Sequence, residues 1–154
     1  MPENRREAFQ RSMEGRLPGV LGTEVLAVER GRVDARLELR DEHLAPNDFI
    51  HAGTIVTLAD TCCGVGCIAT LPEDAAGFTT AELKVNFLRA AAVGQSIRAE
   101  ARIAHEGTRV QVWDATVVRE SDGKPIALFR CTQYILSADD PRTARQARIR
   151  DEAR

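Results

Sequence analysis

The chain is poor in aromatic residues: one Trp, one Tyr and five Phe in 154 residues. It has no surplus of either charge, since 21 basic against 23 acidic residues leave −2. That balance excludes nucleic-acid binding driven by overall charge. No apolar run long enough to span a bilayer is free of charge, so no membrane-spanning helix is expected. The opening segment MPENRREAFQRSMEGR has no apolar stretch, so no secretory signal is expected either. Eleven Gly and six Pro are ordinary numbers and exclude collagen-like or disordered character. There are no internal repeats. The four cysteines, Cys62, Cys63, Cys67 and Cys131, have no His or further Cys at zinc-site spacing. They read as reduced, small apolar core residues of a cytoplasmic protein, and no metal site is expected. The length suits one domain with a substantial core.

What is present is periodicity. Residues 1–16 suit a short amphipathic helix, with Phe9 and Met13 four apart. Residues 24–28 and 33–39 read as strands about the turn Arg30-Gly31-Arg32. In the second, Val33, Ala35, Leu37 and Leu39 alternate with Asp34, Arg36 and Glu38. A polar loop at 41–50 follows. From His51 to Leu71 the chain is apolar on almost every side, which marks a buried helix stopped at Pro72. Period-two alternation then returns: Ala81, Leu83, Val85 and Phe87, next Ile97 to Ile103, then 109–119 and 125–136. Short joints at Val93-Gly94, Glu106-Gly107 and Ser121-Asp122-Gly123 predict hairpin-like antiparallel neighbours. The expected fold is α+β, an antiparallel sheet wrapped around one long helix, in a single domain over 1–137. Residues 138–154, with five Arg and four acids, are expected to be a charged, solvated tail or frayed helix. One sheet cannot cover both sides of so apolar a helix, so a second copy of the chain is expected to cover the rest.

Asp60 stands in the middle of that helix. A buried carboxylate needs a partner, an interface or a chemical task. Thr54, Thr57, Asp60 or Thr61, and Gly64 form one narrow polar and small stripe along the helix. The helix opens at Ala52-Gly53, where free N–H groups make an anion or oxyanion site. Nine positions from His51 to Asp60 put them about half a turn out of phase and roughly 13 Å apart. The two features can meet only if two such helices lie antiparallel across a two-fold axis.

The run PNDFIHAGTIVTLADTCCGVGCIATLP, followed by GFTTAELKVNFLRAA and later by VWDATVV and ALFRCTQYIL, resembles the hotdog-fold acyl-CoA thioesterases of the phenylacetate-degradation type, over roughly residues 20–137. The resemblance implies hydrolysis of an acyl-CoA, aryl-acyl-CoA such as phenylacetyl-CoA included, without a cofactor. It also implies a homodimer or a dimer of dimers (a homotetramer) with sites at the subunit interface. By the same resemblance Asp60 is the catalytic carboxylate, as general base or nucleophile, and the Ala52 N–H polarises the thioester carbonyl. His51 orients the loop or the substrate, or caps the helix. Asn47 matches the loop amide that holds water or thioester, or else is a turn residue. Thr80 matches the hydroxyl that places the water, with Thr79 as the competing choice. Gly53 is expected against the substrate. Gly64 stands where another subgroup has a hydroxyl, four after the carboxylate.

Arg89 at a strand end and Arg109 at a turn are the candidates for the CoA phosphates, the alternative being solvated strand-end arginines. An acyl-CoA hydratase on the same fold would pair its Asp with a following His. None lies within 40 residues after Asp60. A non-catalytic acyl-CoA-binding or regulatory hotdog protein is the alternative from a different class.

Overall fold

The computed structural model describes residues 3–154; the first two residues of the predicted N-terminal helix lie outside the described residues. Helix α1 (Glu3–Ser12) and a short α2 (Leu17–Leu21) precede β1 (Glu24–Glu29) and β2 (Arg32–Glu38). The long α3 (Ala52–Ala69) follows. Then come β3 (Ala75–Phe87), β4 (Ser96–Glu106), β5 (Val110–Arg119), β6 (Pro125–Ser137) and α4 (Ala144–Glu152). The six strands form one antiparallel sheet in the order β1-β2-β4-β5-β6-β3. α3 lies along its concave face and touches every strand. This is the wrapped-helix α+β layout expected from the sequence.

Period-two alternation decides which residues meet α3. Val33, Ala35 and Leu37 of β2, Ile97, Ala99 and Ala101 of β4, and Trp113, Ala115 and Val117 of β5 face inward and are buried. The opposite face is charged. There Asp34 sits between Arg32 at 3.1 Å and Arg98 at 3.2 Å. By length and composition α3 could cross a membrane, but most of it is buried under the sheet. Its small residues let the sheet close in. A Cβ on Gly66 would fall 2.4 Å from the Trp113 ring. At the helix end, the Gln111 amide donates to the Thr70 carbonyl (3.2 Å) and accepts from the Trp113 indole N–H (2.9 Å).

Two expectations need correction. The joint at Val93-Gly94 is not a hairpin: β3 pairs with β6 at the far edge, and residues 88–95 carry the chain back across the sheet to β4. A short joint limits reach, and two or three strand spacings of about 4.8 Å are within it. Nor are residues 138–154 a solvated tail. Asp140 caps a turn of 3-10 helix at Pro141–Thr143, and α4 then packs on β3 and α1, with Thr143 and Ala153 buried. Its anchors are polar. Gln146 and Arg150 bond to the β3 backbone at Phe78 and Ala75, Arg145 donates to the Ser12 carbonyl, and Arg5 donates to the Ala153 carbonyl. A search for apolar periodicity does not see such contacts.

The outermost strand, β3, is irregular in a way that matters for chemistry. Its ladder with β6 slips by one residue at Ala81, because Thr80 pairs with Gln133 while Glu82 pairs with Thr132. Ala81 is therefore the extra residue of a β-bulge. Beyond it Leu83, Val85 and Phe87 face the helix side, opposite Cys131, Phe129 and Ala127. Before it Phe78 and Thr80 take that side. A regular strand would have pointed Thr80 the other way.

Candidate active site

Asp60 lies two and a half turns into α3, on the side turned to β3, and is half-buried. The Thr80 hydroxyl, aimed inward by the bulge, donates to Asp60 Oδ1 at 3.4 Å. Burial raises the carboxyl above its ordinary range, and the Thr80 bond partly opposes this. The result is a carboxylate that holds a proton more readily than a surface Asp, with one oxygen engaged and the other available. Thr79, the competing hydroxyl, is exposed on the opposite side of the strand. One turn after Asp60, the Phe78 ring lies over Gly64, 3.0 Å from where a Cβ would be. A side chain at position 64 would press on the Phe78 ring, which would have to shift to admit it.

The start of α3 is held by a histidine that sequence reasoning passed over. His43 is fully buried. Its Nδ1 accepts from the Arg40 N–H (3.0 Å), and its Nε2 lies 2.8 Å from the Leu21 carbonyl. Its own carbonyl accepts from the Thr54 hydroxyl (3.0 Å) and the His51 N–H (2.9 Å). Nothing but its place in a polar loop marked it, and spacing carries no signal for such a hub.

His51 is the N-cap of α3, and its Nδ1 accepts from the Gly53 N–H at 2.8 Å. Thr54 N–H donates to the His51 carbonyl at 2.9 Å. Of the first three helical N–H groups, Ala52's is the one with no acceptor among the described residues, and it is exposed. The Gly53 N–H is engaged by His51, so it is not the free donor at the helix start. The same residue gives His51 space, since a Cβ there would stand 3.0 Å from Nδ1. Asn47 is at the exposed loop tip, where its Oδ1 accepts from the Phe49 N–H at 3.3 Å, a turn role.

Beside Ala52 is an open cleft of about 370 Å³ lined by Phe49, Ile55, Phe87, Leu88 and Arg89, among others. Arg89 sits at its rim, donating to the Pro125 carbonyl at 2.8 Å. Arg109 does not share that rim. Its carbonyl accepts from the Ile135 N–H, and the β6 span from residue 126 to 135 is about 30 Å. Within one chain, Ala52 and Asp60 stand about 12 Å apart along α3. Among the described residues no group of three or more His, Cys, Asp or Glu side chains could hold a metal ion. The cysteines are buried and free.

An antiparallel sheet wrapped on one helix, with a half-buried carboxylate in mid-helix and a free N–H at its start, defines a hotdog-fold thioester hydrolase. The profile of the Thioesterase superfamily matches residues 47–126, and the chain belongs to that superfamily. It is 28% identical over 116 residues to a 1,4-dihydroxy-2-naphthoyl-CoA hydrolase of Listeria monocytogenes, covering 75% of this chain and 92% of that one. It is 26% identical over 110 residues to the acyl-coenzyme A thioesterase PaaI of Escherichia coli, covering 71% of this chain and 75% of that one. The solved structure of the Escherichia coli PaaI protein superimposes with a TM-score of 0.73 at 22% identity, over 88% of this chain and 97% of that one. A Streptococcus mutans protein solved bound to acetyl CoA superimposes with a TM-score of 0.69 at 25% identity, over 75% and 90% of the two chains.

Proposed function

We propose that this acyl-CoA thioesterase works as a homodimer in which Asp60 of one chain and the Ala52 N–H of the other act on one thioester. The observation that carries the reading is Asp60 itself, desolvated, bonded to Thr80 and turned to an open side of the helix. Apolar residues on that side lack a cover. Leu83 is 42% and Phe87 50% exposed although both face the helix side of the sheet, and Phe49 is 61% exposed. A second α3 lying antiparallel against Gly53, Thr57, Asp60 and Thr61 would bury this surface. It would also bring each helix start to the other chain's carboxylate.

In the site so formed, the Asp60 carboxylate takes a proton from water as that water attacks the thioester carbonyl carbon. The oxyanion forms against the Ala52 N–H, and collapse breaks the C–S bond to release the free acid and CoA thiolate, which then takes a proton. Alternatively, Asp60 attacks the carbonyl directly, the C–S bond breaks to expel CoA thiolate, which takes a proton, and water then hydrolyses the mixed anhydride to free acid and Asp60. Heavy oxygen found in Asp60 after a single turnover in heavy-oxygen water establishes the second route, with water attacking the aspartyl carbonyl of the anhydride. The cleft beside Ala52 suits an apolar acyl group, and its two Phe rings favour an aromatic one of the phenylacetyl-CoA type. The Listeria relative, named for an aromatic acyl-CoA, supports this. Arg89 at the rim meets the CoA phosphates.

The test is complementation. Ala52→Pro removes the oxyanion N–H at a helix position that tolerates Pro, and Asp60→Asn removes the base. Each homodimer is inactive. Verified heterodimers of the two regain about half of wild-type activity, since one of their two sites carries neither change. Inactive heterodimers, with both chains folded by circular dichroism, refute the shared site. A panel of phenylacetyl-, short-chain and long-chain acyl-CoA thioesters tests the acyl preference.

A further inference from the structure

The carboxyl-terminal helix reaches the active site through the backbone of one strand. α4 lies outside the segment matched by the superfamily profile, and nothing in its composition suggests a catalytic part. Yet Gln146 makes two hydrogen bonds to a single residue of β3: its Oε1 accepts from the Phe78 N–H at 2.8 Å, and its Nε2 donates to the Phe78 carbonyl at 2.9 Å. A side-chain amide thereby takes the place of a neighbouring strand at the open edge of the sheet. The fit depends on Gly77, where a Cβ would fall 2.7 Å from Gln146 Oε1 and 3.1 Å from Thr143 Cγ2. On the other side of the strand, the Phe78 ring rests on Gly64 of α3. Phe78 is thus clamped between α4 and the helix that bears Asp60. Two residues further on is Thr80, followed directly by the bulge at Ala81. A bulge interrupts the ladder that would otherwise hold this stretch.

We infer that Gln146 is a positioning residue: by fixing Phe78 from outside the sheet, it holds the Thr80 hydroxyl on Asp60. The inference rests on the reading of Asp60 as the catalytic carboxylate. Its signature is a pH profile. Burial and Thr80 are the influences that shift Asp60. On its own helix Cys63 interacts with Asp60, and it is kept protonated by its contact with Cys131 of β6 and by burial. When Thr80 loosens, the carboxylate loses a stabilising donor, and the acid limb of kcat/KM moves to higher pH.

Gln146→Leu keeps the volume and removes both bonds. In the full-length protein it lowers kcat roughly three- to tenfold, the size of one ordinary hydrogen bond, leaves KM nearly unchanged, and raises the pH of the acid limb. Thr80→Val gives the same limb, and the double variant moves it no further, because both act on one bond. Gly77→Ala reaches the amide from the strand side and gives the same phenotype, which keeps the test open if Gln146→Leu does not fold. Arg145→Ala is the control: it removes a tie from α4 to the Ser12 carbonyl, lowers the melting temperature and leaves kcat and the limb in place. A folded Gln146→Leu protein with wild-type kcat and limb overturns the inference, as does additivity with Thr80→Val. If Asp60→Asn is inactive in that same case, only the role of Gln146 falls. If Asp60→Asn is active, the reading of the site falls with it.

Discussion

Replacing Asp60 by Asn separates activity from stability and moves them in opposite directions. The amide has nearly the carboxylate's shape, and Thr80 can still donate to its oxygen across the 3.4 Å contact. What is lost is the ability to take a proton or to attack. Loss of a general base lowers turnover by about 10²–10⁴, which is roughly 2.7–5.5 kcal/mol of barrier. Stability follows from the direction of the Asp60 shift. Burial raises its pKa in the folded protein, with Thr80 opposing only in part. The folded state then holds this proton more tightly than the unfolded chain does. Stability from this group is therefore lost as pH rises from the unfolded value, about 3.9, through the raised folded one, and at neutral pH the ionised carboxylate is a net burden. Asn carries no charge. The variant should melt higher than wild type at pH 7, and the gain should vanish in acid below the unfolded value. The assays are thiol release from an acyl-CoA and thermal melts across pH. Turnover within about threefold of wild type in the folded variant, or a lower melting temperature at pH 7, would refute the reasoning.

Gly66→Ala should lower the melting temperature. Its Cβ would overlap the Trp113 ring, overpacking costs about 1–3 kcal/mol, and better helix propensity returns at most about 1 kcal/mol; an unchanged or raised melting point contradicts this. The native protein should not react with a disulfide chromogen, because burial pushes the Cys62 thiol up to about 12 and raises Cys67 too. Denatured protein should release four thiols, and fast labelling of the native state would show that the helix opens. Arg89→Ala should raise KM for CoA thioesters by roughly two- to fivefold, the range of an exposed charge pair. The effect should shrink in high salt with kcat little changed, and a fall in kcat alone would place Arg89 elsewhere in the mechanism.

Much of this molecule was legible in its sequence because its strongest signals are repetitive. α3 announces itself by having almost no polar side and by stopping at Pro72. β2, β4, β5 and β6 alternate cleanly because one face of each meets the helix. Asp60 stands out as the lone charge in α3, and Thr80 came from the family resemblance. What escaped depends on contacts that no periodicity records. The place of β3 at the far edge is set by a crossover whose length permits several neighbours, and the position of Arg109 away from the rim that Arg89 lines follows from the sheet order rather than from any local pattern. That the His51 ring folds back on the Gly53 N–H is a matter of rotamer rather than spacing. His43 and Gln146 act through main-chain groups, so their identities carry little forecast of where they bond. Asn47 was legible as a turn residue, the bland alternative to its catalytic one.

The one-residue slip at Ala81 joins two reading frames in a single strand. Upstream, the frame is set by Phe78 and Thr80 against α3; downstream, by Leu83, Val85 and Phe87. Deleting Ala81 would remove the extra residue, so that Thr80, Glu82 and Leu83 pair in step with Gln133, Thr132 and Cys131 and the hydroxyl and the apolar row share one face of a regular strand. A strand of this design can keep or lose its bulge residue with the hydroxyl and the apolar row still on one face, whereas an extra residue accommodated without a bulge turns one of them outward.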